Sequence, residues 1–227
     1  MQNMTAAQSE KSLRVDLNPI VPRRMLLVAI ALICTSSTAR AGADHHESHA
    51  HPQNMITPGY KRSVASYAIP DVSLLRANRT RINFPQEIDD GRPVVLNFIY
   101  TTCTAVCPMT SQTFAAFQEK LSTLRSGVHM LSISIDPEQD TPERLTEYQK
   151  RYGAEPQWNF YTGTLDDSIK IQKAFDSYFG DKMNHRPVFF MREAPGQPWV
   201  RLEGFTSPDD LISEYRALSM EGHHRAN

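Results

Sequence analysis

The chain has 227 residues, a formal net charge of −1 and 22% charged residues, a balance with no basic excess to draw nucleic acid. Hydrophobic residues make up 40% of the chain, enough for one self-sufficient core without covalent staples. Three cysteines are present, Cys34, Cys103 and Cys107, and Cys34 lies in a different kind of segment from the other two.

At the amino end, Arg23 and Arg24 precede the apolar run "MLLVAIALIC", followed by small polar residues and "ARAGA". A basic flank, a short apolar core and an Ala-x-Ala site read as a secretory signal peptide over residues 1–41, cut after Ala41 or Ala43. The run is short of the about 20 apolar residues that a membrane span needs. An uncleaved anchor here would be the chain's route to a membrane. The expectation is export, to the periplasm or to the outer face of the inner membrane. Residues 42–66 contain "DHHESHAHPQN", polar and rich in histidine, which reads as a flexible linker able to hold Cu(II) or Zn(II) loosely.

A folded domain is expected over residues 67–220, with 221–227 as a tail. "VSLLR" and "RINF" predict an N-terminal hairpin. "GRPVVLNFIY" is a continuous apolar run after a turn, as in a strand buried on both faces. Pro108 fits only the first turn of a helix and disfavours α geometry at Cys107. The helix it opens carries Phe114, Phe117, Leu121 and Leu124 at helical spacing and stops near Gly127. "VHMLSISI" predicts the next strand, with His129 partly exposed on the face opposite Leu131 and Ile133.

Thr141 as N-cap, Pro142 at the first helical position and Glu143 beside the positive dipole end predict a helix to about Tyr152, closed by Gly153. "WNFY" is a short strand, and "LDDSIKIQKAFDSYFG" a helix ended by Gly180. "VFFM" and "WVRLEGF" flank "REAPGQP" as a hairpin. Ser207 and Pro208 open the last helix. Alternating strands and helices followed by an antiparallel pair predict an α/β sheet with helices on both faces, close to a thioredoxin-like plan.

Cys103 and Cys107 stand at the carboxyl end of a buried strand and the amino end of a helix, on the edge where open α/β sheets bind ligands. The helix dipole and free N–H groups favour a thiolate there. One disulfide closing so small a loop stabilises little, so a structural staple is the weakest reading. A redox couple and half of a metal site remain. Two thiolates suit Cu(I), and a nitrogen donor would complete a trigonal site tolerant of Cu(II). Of eight histidines, His129 and His185 lie inside the domain. His185, in the loop before a predicted strand, is the candidate third ligand; a solvated loop histidine is the plainer alternative.

"NFIYTTCTAVCPMT", "SISIDPEQDTPERL" and "NHRPVFFM" together resemble the three signatures of the Sco/SenC family of copper-delivery proteins. The resemblance spans the chain from about Tyr67 to the last helix. It implies a thioredoxin-like fold, copper held by Cys103, Cys107 and His185, and delivery to the copper-accepting subunit of cytochrome c oxidase or another periplasmic copper protein. Asp136 and Asp140 match the family's acidic segment. Asp140 reads as a turn and cap residue, whereas Asp136 could orient a ligand from behind. The chain departs from the family at Thr104 and Ala105, where Pro and Asp are usual, and at Asn184, where Asp is usual. "RPVFF" resembles the cis-proline strand start of thioredoxins, so Pro187 is expected to be cis and to shape a groove beside Cys103. That would favour the alternative activity, a thiol-disulfide oxidoreductase acting on the target's cysteines. A peroxidase on the same fold would use a lone cysteine, which the pair argues against.

Overall fold

A computed structural model describes residues 59–122 and 127–225. The signal segment, the His-rich stretch before Gly59 and Leu124 lie outside the described residues. Among those described, eight strands form one sheet in the order β1-β8-β7-β4-β5-β6-β2-β3. The strands are β1 (Tyr60–Ala65), β2 (Ser73–Arg76), β3 (Arg81–Asn83), β4 (Val94–Ile99), β5 (His129–Ser134), β6 (Trp158–Thr162), β7 (Val188–Arg192) and β8 (Trp199–Gly204). The helices are α1 (Phe84–Ile88), α2 (Val106–Ser122), α3 (Pro142–Arg151), α4 (Leu165–Ala174) and α5 (Pro208–Arg225), with a 3₁₀ turn at Lys182–Asn184.

The expected α/β plan holds, with the hairpin β2–β3 at one edge. β4, β5 and β6 run parallel, each joined to the next through a helix, while β7 returns antiparallel beside β4. Every residue of β4, β5 and β7 is buried, as a sheet covered on both faces demands. On one face Phe98 and Phe190 pack against Phe175 at the end of α4. On the other, Phe114 of α2 meets Trp158 and stacks on Phe189, and Tyr215 of α5 meets Phe117. Inside this second layer the Trp158 indole N–H donates to Ser132 Oγ at 2.9 Å, and Ser132 Oγ donates to Asn97 Oδ1 at 2.7 Å.

The helix starts follow their caps. Thr141, Thr164 and Ser207 each accept the backbone N–H three residues on, from Arg144, Asp167 and Asp210, satisfying donors that the first turn leaves open. Four expectations are corrected. β1, Tyr60–Ala65, pairs with β8 where a linker was expected, and its mostly exposed side chains explain the missing apolar signal. α4 ends at Ala174 with Phe175 as its C-cap, because Asp176 takes a φ of 50° and Ser177 N–H returns to the Gln172 carbonyl; Gly180 belongs to a later turn. α5 continues to Arg225, into the stretch read as a tail. His129 is fully buried: positions 129, 131 and 133 share parity in a strand, so they share a face.

Candidate functional site

β4 ends at Ile99 on the sheet edge where α2 begins, and the chain turns at once, with Cys103 N–H donating to the Tyr100 carbonyl at 3.2 Å. α2 starts at Val106, so Cys107 lies inside its first turn. The expected exclusion of Cys107 from the helix is therefore wrong. Pro108 occupies a first-turn position whose N–H would have no helical partner, so the missing donor costs nothing there. Both thiols are free.

The two sulfurs have unlike surroundings. Cys107 is buried, and its Sγ accepts the Tyr100 N–H at 3.4 Å. Burial pushes its thiol up, and the neighbouring Cys103 adds to the shift. Cys103 is half-buried, and its Sγ accepts the Cys107 N–H at 3.4 Å. Burial works to raise this thiol too, but hydrogen bonds from the backbone of Cys107 and Ala105 and from the Tyr100 hydroxyl outweigh it, leaving Cys103 below the ordinary thiol range. The helix start thus favours one thiolate, on Cys103.

His185 follows the 3₁₀ turn, which Asp181 caps by accepting Met183 N–H at 2.9 Å. The imidazole is buried, at 8% exposure, and its Nε2 lies 3.1 Å from the Phe98 carbonyl oxygen. A carbonyl can only accept, so Nε2 carries the proton and Nδ1 keeps the lone pair of a neutral ring. Burial lowers the imidazole pKa, with the Phe98 carbonyl opposing. Cys103 and His185 line one cavity of about 170 Å³ together with Tyr100, Thr102, Lys182 and Met183. Cys107 sits one hydrogen bond behind it. Among the described residues no three His, Cys, Asp or Glu side chains stand close enough to hold a metal ion. A three-ligand site therefore requires the cysteine turn or the His185 loop to shift.

The acidic segment works differently from its expected reading. Asp140 is fully buried and accepts Thr101 N–H, Thr101 Oγ1–H at 2.6 Å and Ser134 Oγ–H at 2.6 Å. It anchors the cysteine turn as well as leading into α3. Asp136, also buried, pairs with Lys182 Nζ at 2.6 Å and so ties the end of β5 to the His185 loop. Thr104, Ala105 and Asn184, the departures from the family pattern, are exposed.

Pro187 contradicts its expectation. The described chain has no cis peptide bond, and Pro187 does not line the Cys103 cavity. Its carbonyl accepts Gly204 N–H at 2.9 Å, pairing it with β8 as a trans proline that simply starts β7. His129 stands apart from the cysteines, with Nε2 3.3 Å from Glu87 and 3.2 Å from the Tyr161 hydroxyl. Sequence reasoning missed Tyr100, Thr101, Lys182 and Met183. Tyr100 and Thr101 lie inside "NFIYTTCTAVCPMT" and Lys182 and Met183 just precede "NHRPVFFM", so proximity to those motifs was the available signal.

A sequence model of the family described as SCO1/SenC matches residues 77–219. Over 152 residues the chain is 27% identical to the SCO1 protein homolog of Bacillus subtilis (strain 168), covering 63% of this chain and 79% of that protein. Among solved structures, BsSco, a member of the Sco family of cytochrome c oxidase assembly proteins, matches with a TM-score of 0.59 at 24% identity, over 70% of this chain and 96% of that one. Arabidopsis thaliana ScoI with copper bound matches with a TM-score of 0.57 at 21% identity, over 70% and 99% of the two chains. At such identities these structures speak for the fold.

Proposed function

Since the chain belongs to the SCO1/SenC family, whose members handle copper in the assembly of cytochrome c oxidase, we propose that it is an exported copper metallochaperone. Its cargo is one copper ion, held by Cys103, Cys107 and His185 and passed to the copper-accepting subunit of the oxidase or to another periplasmic copper protein. The observation that carries this reading is the shared cavity: an ionisable Cys103 sulfur and a neutral imidazole with its Nδ1 lone pair line the same small space. A thiolate, a second thiol and an imidazole form a donor set suited to soft Cu(I) and compatible with Cu(II). Coordination by Cys107 releases its proton. Asp136 holds the His185 loop through Lys182 and so acts from behind the ligands.

The unequal thiols favour a second reading, thiol-disulfide exchange on the target's cysteines. Cys103 has the exposure and thiolate character of an attacking sulfur, and Cys107 those of a sheltered resolving partner. The trans Pro187 gives this reading no added support. One experiment separates the two. The full chain carrying Cys34→Ser is titrated with Cu(I) against a competing chelator, with disulfide exchange measured in parallel. One copper per chain is expected, abolished in Cys103→Ser and Cys107→Ser and weakened roughly 10-fold or more in His185→Ala. Unchanged affinity in all three variants would overturn the chaperone. Exchange that persists in His185→Ala without copper binding would favour the reductase.

A further inference from the structure

Among the described residues Met183 is the most exposed large hydrophobic one, at 73%, yet its sulfur has a defined neighbour. The Tyr100 hydroxyl lies 3.8 Å from Met183 Sδ, and Tyr100 lines the same cavity as Cys103. Tyr100 is itself buried, at 5% exposure, and the Lys182 ammonium stands 5.8 Å from its ring centroid. Two residues with sulfurs of different kinds, a thiol and a thioether, thus line one cavity beside the Tyr100 ring. Met183 lines that cavity with Cys103 and His185, and Cys107 does not. A thioether is a neutral, polarisable donor, favoured by Cu(I) over harder cations.

Resting on the copper-delivery reading, we propose that Met183 is a copper(I) contact that works with Cys103 to take up the ion at the cavity mouth, before Cys107 and His185 complete the site. Cu(I) arriving on a dithiolate carrier exchanges one carrier sulfur for the Cys103 thiolate and the other for Met183 Sδ, and both carrier sulfurs leave as thiolates. No electron moves. Cys107 then loses its proton to water, and its sulfur together with His185 Nδ1 displaces the thioether. Release follows the same steps in reverse, with Met183 holding the ion while the acceptor's first ligand engages. Met183→Leu keeps the bulk and apolar character of the side chain and removes only the sulfur, at a position exposed enough to leave the fold undisturbed.

The test uses the full chain in a Cys34→Ser background with methyl-¹³C methionine. Stopped-flow withdrawal of Cu(I) from bicinchoninate should slow roughly 10-fold in Met183→Leu, while the final affinity changes by less than about threefold. In Cys107→Ser, which cannot hold copper against the chelator but keeps Cys103 and Met183, one equivalent of Cu(I) supplied without chelator should shift the Met183 methyl resonance, assigned by its loss in Met183→Leu. An unchanged rate, or an unmoved Met183 methyl, would overturn the Met183 role and leave the three-ligand site standing. Failure of the Met183-intact chain to withdraw any Cu(I) would overturn both.

Discussion

The carboxylate of Asp140 holds Thr101 by both its backbone N–H and its hydroxyl, joining the acidic turn after β5 to the cysteine turn after β4 across 39 positions of sequence. Ser134 Oγ donates to the same group. Asp140→Ala leaves three donors without an acceptor in a buried place, so it should destabilise the protein by about 2–4 kcal/mol in urea denaturation. Thr101→Val, which keeps the backbone bond, should cost about 1 kcal/mol. Equal stability for Asp140→Ala and its parent would mean that the cysteine turn holds itself.

The contrast between the two thiols predicts selective chemistry. In the reduced full chain carrying Cys34→Ser, iodoacetamide at pH 7 should modify Cys103 first, roughly 100-fold faster than Cys107, because only Cys103 combines exposure with a lowered pKa. Peptide mass spectrometry after short exposures reads the ratio. Matching rates would contradict the assignment of Cys103 as the leading sulfur.

Asp136 and Lys182 make a 2.6 Å pair whose lysine side chain is 39% exposed and whose aspartate is 8% exposed. Screening at the lysine limits the worth of the pair, so Lys182→Ala should cost no more than about 1 kcal/mol. Its larger effect should be on the loop that carries His185. Asp136→Asn should weaken Cu(I) binding by roughly 10-fold with little change in unfolding midpoint. The double variant should be no worse than Asp136→Asn. Intact affinity in Asp136→Asn would leave the pair a purely local tie.

The elements with a strong local cause were readable. The unbroken apolar run Val94–Ile99 gave a strand buried on both faces, and Thr141-Pro142 and Ser207-Pro208 gave two helix starts. Motif and resemblance singled out Cys103, Cys107 and His185, but not that Cys103 and His185 share a cavity while Cys107 lies behind it. What failed was nonlocal. β1 shows no apolar alternation, because what holds it is the backbone ladder to β8. Asp140 looked like a cap because its second partner, Thr101, is distant in sequence. Met183 carried no signal until Tyr100 stood beside it. Pro187 misled because a proline at a strand start fits a trans bond as well as a cis one.

His129 offers a prediction about pH that is independent of copper. It is fully buried at the start of β5, with Glu87 at Nε2, Asp90 at Nδ1 and the guanidiniums of Arg92 and Arg76 nearby. Burial and then Arg92 push its pKa down to about 4, against the pull of the two carboxylates. The unfolded chain keeps the ordinary value near 6.5. A histidine depressed in the fold stays neutral there while the unfolded state gains a proton, so stability falls as pH drops below 6.5 and the loss levels off near 4. Between pH 7 and pH 5 this linkage amounts to about 2 kcal/mol. Urea denaturation of the full chain at the two pH values should show that fall, and His129→Gln, which cannot titrate, should show a fall smaller by about the same amount. A wild-type stability that is flat from pH 7 to pH 5 would place the proton on His129 already in the folded state, held by Glu87 and Asp90.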